Sequence, residues 1–449
     1  MKGPRLGAIL LLAGCAGGPL RDFVPPPLPT PLAEAEPPEV RPIAKQWYPV
    51  DARSVGLLAG DRSLDAVSGR LDLEAARIME DQARRALWPS LRPQVRFFSL
   101  DGLTQATEGA FVQVDKQNLT LGAGAVLSLD VVEARARALA ARQRRRAAEQ
   151  ASDTARRTTM LAAEEQFDDL VRAQNELAIT RELLAGARSV AEFERARERG
   201  GAGLAADRLR AEAAEAEATG DIVRAEAAFR DASARLAETL RIDPRVTLYA
   251  AEPAVEVVQR IPRDAELENL IQEALSTRPE IAESLLLVEA AEREWRGARL
   301  APFVPGVEVN AGFNAFGENF GHLTDQEVTS LGLVWDLSPQ RFGRRHGART
   351  KLDRERLSLA RRREAVLGAV VRNYELARVS PEAIESARRR TEASVEAVRV
   401  VQRRREAGAA LVVEVLDAQR QVALARRELL RAILAHNRAQ RRLMYAVGR

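Results

Sequence analysis

Side chains that commonly carry enzymatic or metal chemistry are few in this sequence and far apart. There are three histidines, His322, His346 and His436, and one cysteine, Cys15. Residues so widely separated do not have the spacing that predicts a zinc site or a catalytic triad. Residues 201–206 have the glycine spacing of a dinucleotide-binding turn, but they follow a charged helix rather than a strand. We therefore predict that the protein is not an enzyme and holds neither a metal nor a cofactor.

The single cysteine ends a segment that is typical of secretory signals. Two positive charges precede an apolar run over residues 6–13, which is too short to span a bilayer. Residues 12–15, Leu-Ala-Gly-Cys, resemble a bacterial lipobox, in which the cysteine is lipidated and becomes the first residue of the mature protein. An ordinary buried cysteine is the alternative. We predict a signal peptide over residues 1–14 and a covalent lipid on Cys15.

Residues 15–63 are predicted to be a lipidated N-terminus and a proline-rich tether. Ten of the 21 prolines fall between residues 16 and 49, and proline is disfavoured in helix interiors and central strands. We therefore expect an extended segment between the lipid and the folded part. By resemblance to other bacterial lipoproteins, Ala16 after the cysteine favours sorting to the outer membrane.

Beyond the tether, the chain repeats itself. Gly408 aligns with Gly201 (408 − 201 = 207), and the same offset aligns Glu414 with Asp207. Alanines recur every seven residues after both glycines, which is typical of one seam of a left-handed coiled coil. The sequence therefore predicts a tandem duplication, with a first structural repeat over residues 64–250 and a second over residues 251–449.

Each repeat contains a helix far longer than a globular domain needs. Residues 131–199 contain no proline and a single glycine, and their apolar residues keep a heptad spacing. At about 1.5 Å per residue, such a helix reaches about 100 Å. The second long helix contains Ser380-Pro381, for which we predict an N-cap and a first helical position, and hence a kink or local break.

Two stretches with a period of two precede each long helix. Apolar side chains alternate with small or polar ones in residues 119–130, 307–316 and 327–337, and more weakly in residues 91–100. About ten tilted residues suffice for a strand to cross a bilayer. Open edges are costly in hydrocarbon and the smallest bacterial barrels have about eight strands, so chains must share one barrel. A soluble antiparallel sheet with one buried face is the alternative.

Composition favours long helices over a compact enzyme. Hydrophobic residues make up 46 % of the chain but aromatic residues only 4 %, and the formal net charge is +4. Arginine runs such as residues 144–146 and 403–405 have acidic residues nearby, so they predict solvated helix faces and no nucleic-acid partner. We predict a mainly α protein with a β-barrel portion, built from long coiled-coil α-helical hairpins and four membrane β-strands per protomer.

The second glycine turn resembles a known family. Gly408, a short spacer and residues 415–420, Val-Leu-Asp-Ala-Gln-Arg, are similar to the second helical tip of the TolC-like outer-membrane efflux proteins. Residues 278–280, Arg-Pro-Glu, and residues 333–345 also match, and the resemblance favours the lipoprotein branch. It implies a homotrimer with a trimeric 12-stranded barrel and an α-barrel tunnel, lipid-anchored in the outer membrane and extending into the periplasm.

The resemblance also implies a function. Such proteins are passive ducts of tripartite efflux or type I secretion systems, which export substrates that an inner-membrane pump delivers through a periplasmic adaptor. Gly201, Gly203 and Gly408 fall on the family's adaptor-docking tips. The alternative is a lipid-tethered periplasmic coiled-coil adaptor or structural scaffold without a pore. Long hairpins suit that function too, but an adaptor would not repeat the alternating strand pairs.

In this family, acidic residues of each protomer ring the axis at the periplasmic gate. Asp207, Glu414 and Asp417 fall on those positions, and Arg210 stands in the first tip where the second has Asp417. A narrow ring of acidic side chains attracts cations, and its carboxylates repel one another unless positive charges pair with them. Arg210 could supply that positive charge. Ordinary helix N-terminal acids, favourable to the helix dipole, are the alternative. The family often has a tyrosine just before this tip, where this chain has Arg405. This chain therefore departs from the family at a residue associated with a gating hydrogen bond.

Overall fold

The computed structural model describes residues 37–38, 46–317 and 322–449, and it has a long helical body with a sheet at one end. The predicted signal peptide and Cys15 lie outside the described residues. The elements follow one another in this order: β1 (Trp47–Val50), α1 (Ala52–Arg62), α2 (Leu64–Arg85), β2 (Ser90–Gln105), β3 (Phe111–Leu129), α3 (Val131–Arg199), α4 (Ala205–Thr239), β4 (Thr247–Ala250), α5 (Leu267–Thr277), α6 (Pro279–Leu300), β5 (Gly306–Gly317), β6 (Thr324–Val334), α7 (Pro339–Glu406) and α8 (Val412–Val447).

The last part of the predicted tether is folded. β1 pairs in parallel with β4, and its Tyr48 and Val50 are buried in a core shared with α3 and α4. α1 begins at a capping box, in which the Asp51 carboxylate accepts a hydrogen bond from Ser54 N at 2.6 Å. Residues 47–62 therefore belong to the folded body rather than to an extended tether.

Four antiparallel strands form a sheet in the order β2-β3-β5-β6, which leaves β2 and β6 at its edges within the chain. The register places Leu91 opposite Ala125, Ala125 opposite Ala311, and Ala311 opposite Thr329. Because side chains alternate along a strand, the side of the sheet that carries these residues has most of the apolar positions of the four strands, although Phe98 and Phe316 are on the opposite side. We call it the apolar face, and we call the opposite side, which carries Thr120, the polar face.

Two helical hairpins, α3–α4 and α7–α8, form the body of the molecule. Asp130 caps α3 by accepting a hydrogen bond from Glu133 N at 3.3 Å, and the helix then runs for 69 residues, or about 100 Å. Within the first hairpin the seam is apolar, with Leu177 and Phe229 almost fully buried. None of the described helices is both long and apolar enough to cross a membrane.

Amide side chains on the long helices hold the connecting segments. Gln174 on α3 bonds both the backbone N (2.9 Å) and the backbone O (3.3 Å) of Ala250. Asn437 on α8 accepts a bond from Val258 N at 2.9 Å and donates to Glu256 O at 2.8 Å. Each hairpin therefore anchors a chain segment that lies beside it, through an amide that both donates and accepts a hydrogen bond.

The predicted break at Pro381 is absent, because α7 is continuous across this residue. Proline lacks the N–H that would bond the carbonyl of Ala377. The Ser380 hydroxyl donates to that carbonyl instead, at 3.1 Å, and its oxygen lies 2.7 Å from His436 Nδ1 on α8. Which of the two side chains donates in this second contact depends on the tautomer of His436. A side-chain relay therefore replaces the missing backbone bond.

Acid is expected to destabilise the fold at His436, because protonation places a charge in a buried site. The ring is fully buried, and burial lowers the pKa of His436, with a further contribution from Arg263. Below about pH 6.5 the imidazole binds a proton in the unfolded chain but binds it less readily in the folded chain. The free energy of unfolding therefore falls as the pH falls. His436→Phe, which copies Phe229 of the first repeat, should flatten this part of the pH dependence. Thermal unfolding from about pH 5 to 8 measures it, and equal slopes in both proteins would contradict the assignment.

Candidate functional site

The two glycine turns have the same backbone geometry. Gly201 and Gly408 have φ of +73° and +74°, a left-handed conformation that favours glycine just after a helix. Behind them, Ala202 N bonds Arg197 O at 2.9 Å, and Ala409 N bonds Arg404 O at 2.7 Å. The turns therefore end α3 and α7 in the same way, as the predicted duplication requires.

Gly203 is small for a different reason. A Cβ built on it would lie 2.7 Å from Glu198 N, so the end of α3 leaves no room for a side chain. The second turn has Ala410 at the corresponding position, where it is buried. The two tips are therefore close copies rather than identical ones. The adaptor-docking assignment of Gly201, Gly203 and Gly408 remains a prediction.

The predicted gate residues separate into different environments. Asp207 is half-buried and lies 3.5 Å from Arg210, so these two form the expected ion pair. Glu414 accepts a hydrogen bond from Leu411 N at 3.3 Å and lies 3.8 Å from Arg404 of its own hairpin. Asp417 is exposed, and it forms no ion pair with any arginine or lysine in the described part of the chain. Their gate function remains a prediction.

A buried arginine that the sequence did not identify as a site joins the two tips. Arg405, at the end of α7, donates from Nε to Glu194 Oε1 of α3 at 3.1 Å, and its Nη2 reaches the same oxygen. Nη2 also lies 3.9 Å from Asp207, and Nη1 donates to Ala410 O at 2.8 Å. We call Arg405, Glu194 and Asp207 the latch. Only 11 % of the Arg405 side chain and 1 % of the Glu194 side chain are exposed, so the pair is held out of water.

A second ion-pair cluster lies at the other end of the same helices. Arg341 at the start of α7 pairs with Asp130, and Arg344 lies 3.2 Å from Glu133 at the start of α3. The two long helices are therefore connected by arginine–carboxylate pairs both beside the sheet and at the tips. Such pairs fix geometry more than they add stability, since desolvation offsets their attraction.

Charged pairs also form the contact between the two hairpins. Arginines of α8 face acids of α3 and α4 along the seam, which has only a small apolar cluster near the tips (Ala191, Ala211 and Val412), whereas the contact within each hairpin is mainly apolar. The pairs include Glu165 with Arg442, Asp168 with Arg441, Glu176 with Arg431, Glu182 with Arg426, and Glu217 with Arg420. Asp168 and Arg441 are largely buried, but the other pairs are more exposed and contribute little each, so we expect this seam to rearrange more easily than the seams inside the hairpins.

The first hairpin has its own clamp close to the tip. Arg195 on α3 donates to Glu212 and to Glu215 of α4, each at 2.9 Å. The Arg195 guanidinium holds the pKa of Glu212 below its usual value, so this carboxylate stays charged near neutral pH. Apolar side chains surround the tip on the outside, where Leu204 and Leu411 are exposed. In the described residues, no group of three or more His, Cys, Asp or Glu side chains could hold a metal ion.

Comparison with known proteins agrees with this architecture. Residues 270–449 match the family model described as Outer membrane efflux protein. The similarity covers less than half of the chain, and the TolC-like resemblance seen in the sequence is confirmed. None of the curated proteins compared with the chain matches it.

Solved structures of the same fold cover almost the whole chain. A membrane protein from Pseudomonas aeruginosa is 18 % identical, with a TM-score of 0.76 over 93 % of this chain and 97 % of that one. The CmeC outer membrane channel of Campylobacter jejuni is 13 % identical, with a TM-score of 0.79 over 95 % and 94 %. The open state of the Neisseria gonorrhoeae MtrE outer membrane channel is 18 % identical, with a TM-score of 0.72 over 93 % and 97 %. At these identities the likeness establishes the fold.

Proposed function

We propose that this protein is the outer-membrane duct of a tripartite efflux or type I secretion system. The observation that carries the proposal is the apolar face, which runs in register across β2, β3, β5 and β6 at one end of two long hairpins. Its large side chains are exposed, with Leu91 82 % and Leu331 76 % accessible. A sheet with one apolar and one polar face suits contact with lipid on the apolar face and with a water-filled pore on the polar face.

Three copies complete the barrel in this proposal. Four strands leave the edges of β2 and β6 unpaired within the chain, and unpaired backbone groups are costly in hydrocarbon. A homotrimer supplies 3 × 4 = 12 strands, which closes the sheet between protomers. The hairpins then continue the pore into the periplasm, where their tips dock on an adaptor and an inner-membrane pump supplies the energy.

Cys15 anchors each protomer in the same proposal. The lipobox-like residues before it and the proline-rich segment after it suit a lipid attached at the membrane surface. Labelling with a radioactive fatty acid should mark the wild-type protein and leave Cys15→Ser unlabelled. Equal labelling of both proteins would rule out this cysteine as the anchor.

Membrane fractionation tests the proposed assembly. Outer-membrane fractions should contain trimers that survive unheated detergent electrophoresis and separate into single chains on heating. A monomer that leaves the membrane once the lipid anchor is cleaved would contradict the duct and favour a tethered scaffold.

At the periplasmic end, we infer that Asp207, Glu414 and Asp417 form an acidic gate and that Arg210 partly neutralises it. Replacing Asp207 and Glu414 together with alanine should raise single-channel conductance, because it removes like-charge crowding and one carboxylate of the latch. We expect an increase of about twofold or more, and weaker block by divalent cations added at the tip side.

Two acids elsewhere on the hairpins provide a matched control. Asp231 and Glu385 are exposed, and each pairs with an arginine of its own helix. The double change Asp231→Ala with Glu385→Ala should leave conductance and cation block as in the wild type. Unchanged conductance and block in the Asp207/Glu414 double variant would exclude these two acids from the gate.

A further inference from the structure

The charged side chains of the four strands are sorted by sheet face. All three cations, Arg92, Arg96 and Lys116, are on the polar face. Glu308 is the one acid of these strands on that face. The remaining acids are on the apolar face, towards the loops that join β2 to β3 and β5 to β6: Asp101, Asp115, Asp325 and Glu327.

The cations of the polar face are available to solutes. Arg92, Arg96 and Lys116 are not involved in any ion pair between described residues, and Arg92 and Arg96 are exposed. In register with Arg92 across the sheet lie Gly124 and then Gly312, so no side chains crowd its guanidinium from those strands.

The surface between the two arginines is ordered. Gln94 Nε2 donates to Asn314 Oδ1 at 3.1 Å, reaching over β3 at Gly122. A Cβ on Gly122 would lie 2.0 Å from that oxygen, so glycine is needed for this bond. Neutral amides and bare backbone therefore lie beside Arg92, uncharged side chains lie opposite Arg96 and Lys116, and Glu308 stands apart near the start of β5.

We propose that these cations make the barrel lumen selective for anions, so that small carboxylated or phosphorylated solutes are the favoured cargo class. The inference rests on the proposed duct, in which the polar face lines the pore. Each chain contributes 3 − 1 = +2 charges to that face, and three chains contribute 3 × 2 = +6. Rings of arginine and lysine favour anions in pores, and substitutions inside a barrel change its selectivity.

The barrel and the tips then differ in charge along one path. At the tips, arginines lie beside two of the three acids, with Arg210 and Arg405 near Asp207 and Arg404 near Glu414. The lumen of the barrel instead presents an excess of cations that form no ion pair in the described residues, so a solute that the pump pushes past the tips meets an attractive surface for anions before it leaves. Cations that enter from outside are repelled at the barrel, which limits their return.

Reversal potentials test this proposal in the full-length protein. The measurement uses a KCl gradient across a planar bilayer at about 0.1 M salt, where charges act over about 10 Å. All variants are made in a background protein that carries Asp207→Ala and Glu414→Ala, so that the acids of the tips do not dominate the measured ion selectivity. Neutralising the lumen with Arg92→Gln, Arg96→Gln and Lys116→Gln should lower the chloride-to-potassium permeability ratio about threefold.

A charge-conserving variant is the matched control. Arg92→Lys, Arg96→Lys and Lys116→Arg should keep the permeability ratio of the background protein, because the side chains change while the charge remains. The same ratio in all three proteins would overturn the anion-selective lumen while leaving the duct intact. A complete lack of channels in all three would instead contradict the proposed duct.

Discussion

In the proposed duct, Arg405→Ala is expected to open the tip end and to raise single-channel conductance several-fold above that of the wild type. The change removes the bonds that connect the end of α7 to Glu194 on α3 and to Ala410. It also leaves the Glu194 carboxylate buried without its strongest partner, which costs about 3 kcal/mol. The tip should therefore loosen as well as widen, and planar-bilayer recording together with thermal unfolding measures both effects.

Arg403 offers a matched control on the same helix. Its side chain is exposed and lies 3.7 Å from Glu396 of its own helix. Arg403→Ala should keep wild-type conductance and stability. Adding Glu194→Ala to Arg405→Ala should restore much of the stability, because no buried charge remains, but the tip should stay open. Wild-type conductance in Arg405→Ala would show that the latch does not hold the tip.

An arginine at Leu331 is expected to prevent assembly in the outer membrane, whereas one at Ser330 is expected to be tolerated. The two positions are neighbours on β6 and lie on opposite faces of the sheet. In the proposed barrel Leu331 faces lipid, where arginine costs about 2–4 kcal/mol near the bilayer midplane. A trimer incurs that cost three times, whereas Ser330 faces water in the pore.

The amount of trimer in outer-membrane fractions is measured for Leu331→Arg and for Ser330→Arg. Leu331→Arg should leave few or none, and Ser330→Arg should leave amounts close to wild type. If Ser330→Arg were the harmful change, the two faces would be assigned the wrong way round. Equal amounts of both variants would indicate a sheet that does not contact lipid.

The regular parts of this fold could be predicted because they repeat a pattern along the chain. α3 occupies the predicted residues 131–199, since a long heptad without proline has no competing structure. The strand pairs follow from alternation, and the register then aligns one face across all four strands. The glycine turns were recognisable because Gly201 and Gly408 both end a charged helix.

The parts that could not be predicted depend on contacts between distant residues. β1 and β4 have four residues each and lie about 200 residues apart in the chain, so neither has a local pattern. Arg405 was recognisable as a departure from the family, but its partner Glu194 is fixed only by how α3 and α7 end. The break expected at Pro381 did not form, because Ser380 and His436 replace the missing bond.

The latch and the seam between the hairpins together suggest how the tip opens. α8 contacts α3 and α4 through arginine–carboxylate pairs, and Arg405 is the buried connection at the far end. We expect the second hairpin to move relative to the first when this connection breaks, because the apolar seams inside each hairpin are harder to separate.

Single-channel recording of the purified wild-type protein in planar bilayers tests the central claim most directly. If three chains enclose one pore, the protein should produce discrete conductance steps, small because the tips are closed. A protein that inserts into the bilayer as an intact trimer and conducts no ions, either as wild type or with Arg405→Ala, would contradict the claim that this chain forms a duct.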